Sequence, residues 1–422
     1  MNRKVYPEGG VGEVFIPSSK SDVHRILIAA ALSQEATEVE IHGLSDDIEA
    51  TMECLRRMGS KIYQLESELW KVEPVCRGKS VDQILDCKES GSTLRFILPV
   101  AAALNDGFRI SGEGRLPQRP ITELISQMEH HGCNFDSPVL PFTVTGILRS
   151  GQYYLPGNVS SQYITGLLLA LPLLSGDSEI RLETALESGG YVEMTLATLA
   201  RFKIQVERRS YGYFIPGGQT YQSPGRIMAE GDWSGAAFFL AAGALKGPVI
   251  CRGLNIDTRQ GDYQILDLLR RFGADIRIHG NDIVVRYQTL KGIDIDASEI
   301  PDLVPILSVV AAKAKGETRI YNAGRLRIKE SDRLAAMCEG LTRIGTDVEE
   351  QAEEMRIKGL NEGHGRVASI SGYGDHRIVM AMTVAALAAE TALVIEDSEA
   401  ANKSYPDFFK DWVQIGGRAD VI

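Results

Sequence analysis

The chain has 422 residues, 44% hydrophobic and 24% charged, with 56 acidic against 45 basic side chains and a formal net charge of −11. That balance is ordinary for a globular protein and argues against a nucleic-acid surface, and no apolar stretch reaches the length of a membrane span. The amino-terminal MNRKVYPEGG lacks the apolar core of a secretion signal, so the expectation is a cytoplasmic protein without membrane or nucleic-acid partners. Six scattered cysteines, Cys54, Cys76, Cys87, Cys133, Cys251 and Cys338, show no metal-ligand spacing and read as reduced and mostly buried.

Residues 1–16 read as a strand-like leader. Beyond them a polar or glycine-rich cluster followed by a long apolar run recurs at intervals of roughly 70 residues. The runs start at Lys20 (KSDVHRILIAAAL), Gly91 (GSTLRFILPVAAAL), Ser160 (SSQYITGLLLALPLL), Gly231 (GDWSGAAFFLAAGAL), Pro301 (PDLVPILSVVAAKA) and Gly374 (GDHRIVMAMTVAAL). In step with them run amphipathic segments beginning near Asp46, Arg119, Tyr191, Asp262, Lys329 and Pro406, most of them ending at or near glycine, a helix stop. Short alternating or β-branched runs between the helices, such as TEVEIHG, FRISGEG, SEIRLET, DIVVRY and TALVIED, read as strands. Each unit thus carries two helices and about four strands, too little to close a core alone, and the first helix of each should be central. Six such units predict two α/β domains of three repeats. The expected division is 17–229 for one domain and 1–16 with 230–422 for a discontinuous second, with a hinge near 16–19 and 227–232.

Basic residues at the unit starts stand out against the acidic background: Lys20, Arg25, Arg95, Arg119, Lys329, Arg333, Arg377 and Lys403. Most are expected in the first turn of a helix, where the macrodipole disfavours a cation and favours an anion. A polyanionic ligand would explain them, because helix amino termini bind phosphate or carboxylate through unpaired N–H groups and the cations add charge-assisted bonds. The expectation is a positively charged cleft that gathers up to six helix ends. Taken singly, SSKS, GST and SSQ are equally good as helix caps, and Arg119 and Arg377 as surface charges. Their shared phase in the repeat is what favours a site. In RIKESDR, a helix through Lys329, Glu330 and Arg333 would set a carboxylate and two cations on one face.

RIKESDRL, with SSKSDVHR, SGSTLR, QRP, SSQYITG, IPD, GYGDHR and NKSYPDF, resembles the 5-enolpyruvylshikimate-3-phosphate synthase family of enolpyruvyl transferases, in family order through the whole chain. The resemblance implies a two-domain inside-out α/β barrel of six βαβαββ repeats, three per domain. It also implies transfer of enolpyruvate from phosphoenolpyruvate to the 5-hydroxyl of shikimate 3-phosphate, in chorismate and aromatic amino-acid biosynthesis. A monomer with no metal and no organic cofactor is expected. Such chemistry needs one group to take a proton from the hydroxyl and another to exchange one with the vinyl carbon. Motif by motif, Asp302 matches the base and Glu330 the group at the vinyl carbon, with Lys20 and Lys403 as further proton-transfer candidates. Lys20, Ser21, Arg25, Ser160, Ser161, Gln162, Ser188, Asp302 and Lys329 resemble the shikimate 3-phosphate site. Lys20, Gly91, Arg119, Gln162, Arg333, Arg377 and Lys403 resemble the phosphoenolpyruvate site, which the herbicide glyphosate occupies in this family. The sister family acting on UDP-N-acetylglucosamine carries a cysteine on the loop that here reads SGEGRLPQRP, without one. A non-catalytic anion-binding protein on the same repeat is opposed by the presence of both Asp302 and Glu330.

Overall fold

A computed structural model describes residues 1–75, 84–360 and 369–422. The chain divides into two units, Lys20–Ala229 and Met1–Ser19 with Glu230–Ile422. In the first, α1 (Lys20–Leu32), α2 (Asp46–Arg57), α3 (Gly91–Leu104), α4 (Thr122–His130), α5 (Ser161–Ala170) and α6 (Gly189–Arg201) follow in order. The second holds α7 (Trp233–Leu245), α8 (Ile265–Phe272), α9 (Val304–Lys313), α10 (Arg333–Arg343), α11 (His376–Ala389) and α12 (Phe408–Gln414).

Odd-numbered helices form the two cores, as their all-round apolar sequences require. Every residue of α7 is buried, and α1, α3, α5, α9 and α11 are nearly so. Phe238, Phe239 and Leu240 on α7 are fully buried, each contributing about 1.5–3 kcal/mol relative to exposure. Even-numbered helices keep a charged face. On α2, Asp46, Asp47 and Glu49 occupy the first turn and Arg56 and Arg57 the last, both matched to the helix dipole. Asp332 accepts from the Ala335 N–H and so starts α10 at Arg333. Lys329 and Glu330 therefore precede the helix, which corrects the reading of RIKESDR as one helical face.

Six four-stranded sheets are present among the described residues. The second repeat shows the full βαβαββ order within one stretch: Ile84–Asp86, α3, Gly107–Ser111, α4, Asn134–Phe135 and Phe142–Thr145. Three sheets instead borrow a strand from far along the chain. Gly12–Phe15, just before α1, pairs in parallel with Val249–Arg252, whereas Arg226–Met228, just before α7, pairs in parallel with Thr37–Glu40. Arg3–Val5 lies between Leu393–Ile395 and Ala419–Val421, completing the sixth repeat from the opposite end of the chain. Pro17–Ser19 also belong with the later residues: Ser19 N–H donates to Glu230 O, and Asp232 N–H to Pro17 O. The described cysteines, Cys54, Cys87, Cys133, Cys251 and Cys338, are free and buried, while Cys76 lies outside the described residues. No helix among the described residues is long and apolar enough to cross a membrane.

Candidate active site

Within Lys20–Ala229, polar side chains gather where several helices begin. Lys20 opens α1, and its Nζ lies 2.7 Å from Asp47 Oδ2 in the first turn of α2. Thr93, in the first turn of α3, donates to Asp47 O at 3.3 Å and pairs with Thr51 Oγ1 at 2.7 Å, and Thr51 in turn meets His24 Nδ1 at 2.8 Å. Ser90 caps α3 by accepting from Thr93 N–H, and Ser160 caps α5 by accepting from Gln162 N–H. The two caps are linked: Arg95 Nη1 donates to Gln162 Oε1 at 2.8 Å, and Gln162 Nε2 to Ser92 Oγ at 2.9 Å. Ser161 is the first residue of α5 and is buried.

Gly91 is required by what passes over it. A Cβ there would stand 2.6 Å from Arg95 Nη1 and 2.7 Å from Arg119 Nη1, so two guanidinium groups reach the first residue of α3 only because it has no side chain. Arg25 is 1% exposed and binds the start of α6 to α1, its Nε donating to Thr195 Oγ1 at 2.8 Å and its Nη2 to Tyr191 O at 2.9 Å. Burial lowers its pKa to about 10, which leaves it cationic at neutral pH. Ser188, the N-cap of α6, takes φ +54°, a left-handed conformation that glycine adopts freely and other residues seldom do, and is therefore a point of backbone strain.

In the other unit the side chains form one charge network centred on Arg333, which is 2% exposed. Its Nε donates to Asp375 Oδ2 at 2.8 Å, its Nη1 to Asp302 Oδ1 at 2.8 Å and its Nη2 to Glu330 Oε2 at 2.7 Å. Burial works against this charge, but Asp375, Glu330 and Asp302 outweigh it and raise the arginine's pKa. Asp375 is wholly buried, caps α11 by accepting from Arg377 N–H and also accepts from Ser331 Oγ. Arg377 Nη1 donates to Ser234 O at 3.0 Å, joining α11 to the start of α7, and its Nη2 lies 3.7 Å from Asp302 Oδ2. Its Nε is buried with no hydrogen-bond acceptor among the described residues. Lys403 Nζ donates to Gly374 O at 2.7 Å, beside Asp375.

Asp302, in the 3-10 turn Pro301–Leu303, has a side chain 20% exposed. Burial pushes its pKa up, yet Lys329 at 3.7 Å, Arg377 and Arg333 together hold it well below the usual carboxylate range. Lys329 is itself pushed down to about 8, by burial first and by Arg325 and Arg333 next, against the pull of Asp302. The site thus holds an ionised carboxylate with low proton affinity beside an amine that can titrate near neutral pH.

The sequence profile of EPSP synthase (3-phosphoshikimate 1-carboxyvinyltransferase) matches residues 8–412. The 3-phosphoshikimate 1-carboxyvinyltransferase of Clostridium novyi is 40% identical over 429 aligned positions, covering 99% of this chain and 98% of that one. That of Clostridium acetobutylicum is 41% identical over 412, covering 96% and 95%. The chain belongs to the EPSP synthase family. In fold it is similar to the EPSP synthase of Acinetobacter baumannii, with a TM-score of 0.82 at 24% identity and all of both chains covered.

One expectation about this EPSP synthase family member needs correction. Of the eight basic residues singled out, Lys20, Arg333 and Arg377 lie in the first turn of an α-helix, but Arg25 and Arg95 lie one turn further on. Arg119, Lys329 and Lys403 instead end or directly follow 3-10 turns, so most do not oppose a helix dipole at close range. The cations are also paired with carboxylates: Asp47 meets Lys20, and three carboxylates meet Arg333. Sequence reasoning passed over Asp47, Thr93, Asp375 and Asp262, because acidic and hydroxyl residues at helix starts are ordinary caps. Only the recurrence of such residues at the phase of Lys20 and Arg377 could have marked them.

Proposed function

We propose that this protein transfers the enolpyruvyl group of phosphoenolpyruvate to the 5-hydroxyl of shikimate 3-phosphate, giving 5-enolpyruvylshikimate 3-phosphate and phosphate, in chorismate and aromatic amino-acid biosynthesis. The observation that carries the reading is the convergence of Asp302 and Glu330 on one buried guanidinium, in a chain of this family. Two carboxylates held on separate Nη atoms of Arg333 suit two proton transfers of opposite sense.

Asp302 takes the proton of the 5-hydroxyl as its oxygen attacks the phosphate-bearing carbon, while the vinyl methylene gains a proton through Glu330, with Lys20 or Lys403 assisting. The tetrahedral intermediate then loses phosphate and a methyl proton, restoring the double bond. Lys20, Ser21, Arg25, Ser160, Ser161, Gln162, Ser188, Asp302 and Lys329 bind shikimate 3-phosphate. The N–H groups of the first turn of α5 suit its phosphate. Lys20, Gly91, Arg119, Gln162, Arg333, Arg377 and Lys403 bind phosphoenolpyruvate, and the unmatched Nε of Arg377 is a donor suited to that ligand. An anion that engages Arg333 and Arg377 weakens their hold on Asp302, so its proton affinity rises when both reactants are bound. The protein acts in solution as a monomer, with residues 16–19 and 227–232 as its hinge.

Phosphate release, followed by a coupled assay, should require phosphoenolpyruvate and shikimate 3-phosphate together. Release with UDP-N-acetylglucosamine in place of shikimate 3-phosphate would reassign the acceptor. No release with either would leave only anion binding.

A further inference from the structure

Asp262 belongs to none of the roles above, yet it is joined to Arg377 through Ser234. It lies in the 3-10 turn Gly261–Gln264 before α8, is 3% exposed, and accepts a hydrogen bond from Ser234 Oγ. Ser234 is tied to the site through its carbonyl, which accepts from Arg377 Nη1 at 3.0 Å, and through its N–H, which donates to Asp232 Oδ1 at 3.2 Å. The groups facing Asp262 are therefore Asp232 and Ser234 from the start of α7, Asp302 from the turn before α9 and Arg377 from α11. Behind Asp302 stand Lys329, Glu330, Arg333 and Asp375. No cation approaches within 4 Å of Asp262 among the described residues, unlike Asp302, Glu330 and Asp375.

The charge balance poses a problem that Asp262 can solve. Asp232, Asp262, Asp302, Glu330 and Asp375 are five carboxylates set against Lys329, Arg333, Arg377 and Lys403. Arg325 stands beyond Lys329, and adding a phosphorylated carboxylate to such a cluster costs less if some negative charge is removed, which for a buried group happens most readily by protonation. We propose that Asp262 is a positioning residue for the anion site, binding one proton as phosphoenolpyruvate docks on Arg377 and thereby keeping that guanidinium available to the ligand. This rests on the assignment of phosphoenolpyruvate to Arg377 above. The step adds one solvent proton to a carboxylate oxygen and breaks no covalent bond. The protonated Asp262 can then donate to Ser234 Oγ, reversing the direction of that hydrogen bond. Burial, with Asp302 next, already pushes the Asp262 pKa up to about 7, and the arriving anion raises it further.

The test is the pH profile of kcat/KM for phosphoenolpyruvate at saturating shikimate 3-phosphate, for the full chain and for Asp262→Asn. Ionisation of Asp262 in the shikimate 3-phosphate complex should make the wild-type value fall about tenfold per pH unit above its pKa, and Asp262→Asn should lack this limb. Ionisation of the ligand is common to both proteins and cancels in the comparison. Ser234→Ala provides a second reading if the first variant fails to fold. Losing the hydroxyl that favours the ionised form should move the limb to higher pH. Superimposable profiles for wild type and Asp262→Asn, an unmoved limb in Ser234→Ala, or a wild-type profile without a fall up to pH 9 would each overturn the proposal. Absence of any turnover in the wild type would instead overturn the assigned reaction.

Discussion

Replacing Asp302 by Asn separates two roles of that side chain. The amide keeps the size and can still accept from Arg333 Nη1, now at 2.8 Å from the carboxylate, but it cannot take up a proton. Loss of a positioned general base should lower kcat by about 10²–10⁴-fold. The same change removes a negative charge 3.7 Å from Lys329 Nζ and 3.7 Å from Arg377 Nη2. Coulomb's law at those distances gives about 4 kcal/mol per pair at an effective dielectric of about 20. Taking about a third of that for a partly exposed group and a ligand set further back leaves about 1.4 kcal/mol, or a tenfold lower KM for phosphoenolpyruvate. Steady-state phosphate release should therefore show kcat falling while KM for phosphoenolpyruvate falls or holds, with a thermal melt confirming the fold. A variant with kcat within threefold of wild type, or one with KM raised and kcat unchanged, would refute the reasoning.

Arg119→Ala should weaken phosphoenolpyruvate by about 2–5 kcal/mol while leaving shikimate 3-phosphate binding intact, and calorimetric titration with unchanged affinity would remove Arg119 from the site. Gly91→Ala puts a methyl group 2.6 Å from Arg95 Nη1 and 2.7 Å from Arg119 Nη1, so the KM for phosphoenolpyruvate should rise several-fold at little cost in melting temperature; a normal KM would show that the two arginines can step aside. Lys329, with its pKa lowered to about 8, is cationic below that pH and loses its charge above it. The kcat/KM for shikimate 3-phosphate should accordingly fall on the alkaline side near pH 8, and Lys329→Arg should carry that limb beyond pH 10; an unchanged limb would exclude Lys329 as its source.

What the sequence disclosed, and what it concealed, follows from how each feature is encoded. A helix buried on all sides must be apolar on all sides, so α1, α3, α5, α7, α9 and α11 were legible as continuous Ala, Leu, Ile and Val runs. Strands such as Ser178–Leu182 and Asp282–Arg286 were equally plain in SEIRL and DIVVR. The pairing partners were not, because periodicity tells which face of a strand is buried and nothing about which edge it joins. The pairing of Arg226–Met228 with Thr37–Glu40 is of that kind, whereas residues 1–16 were already expected with 230–422, the stretch that holds Val249–Arg252. In the site, Lys20, Arg333 and Arg377 drew notice as cations in an acidic chain. Asp375 and Asp262, which hold or tune those cations, look like any caps until coordinates place them against a guanidinium or leave them without one.

The place of Arg3–Val5 constrains how the chain can mature. Its neighbours on either side, Leu393–Ile395 and Ala419–Val421, emerge about 390 residues or more after it, while Gly12–Phe15 waits for Val249–Arg252. On the ribosome, Lys20–Ala229 has every described strand of its sheets available once Met228 has emerged, whereas Arg3–Val5 has no partner strand until Leu393–Ile395 follows. A strand made early is thus the last to find its lattice, and deleting either Arg3–Val5 or Ala419–Val421 would leave the same sheet open.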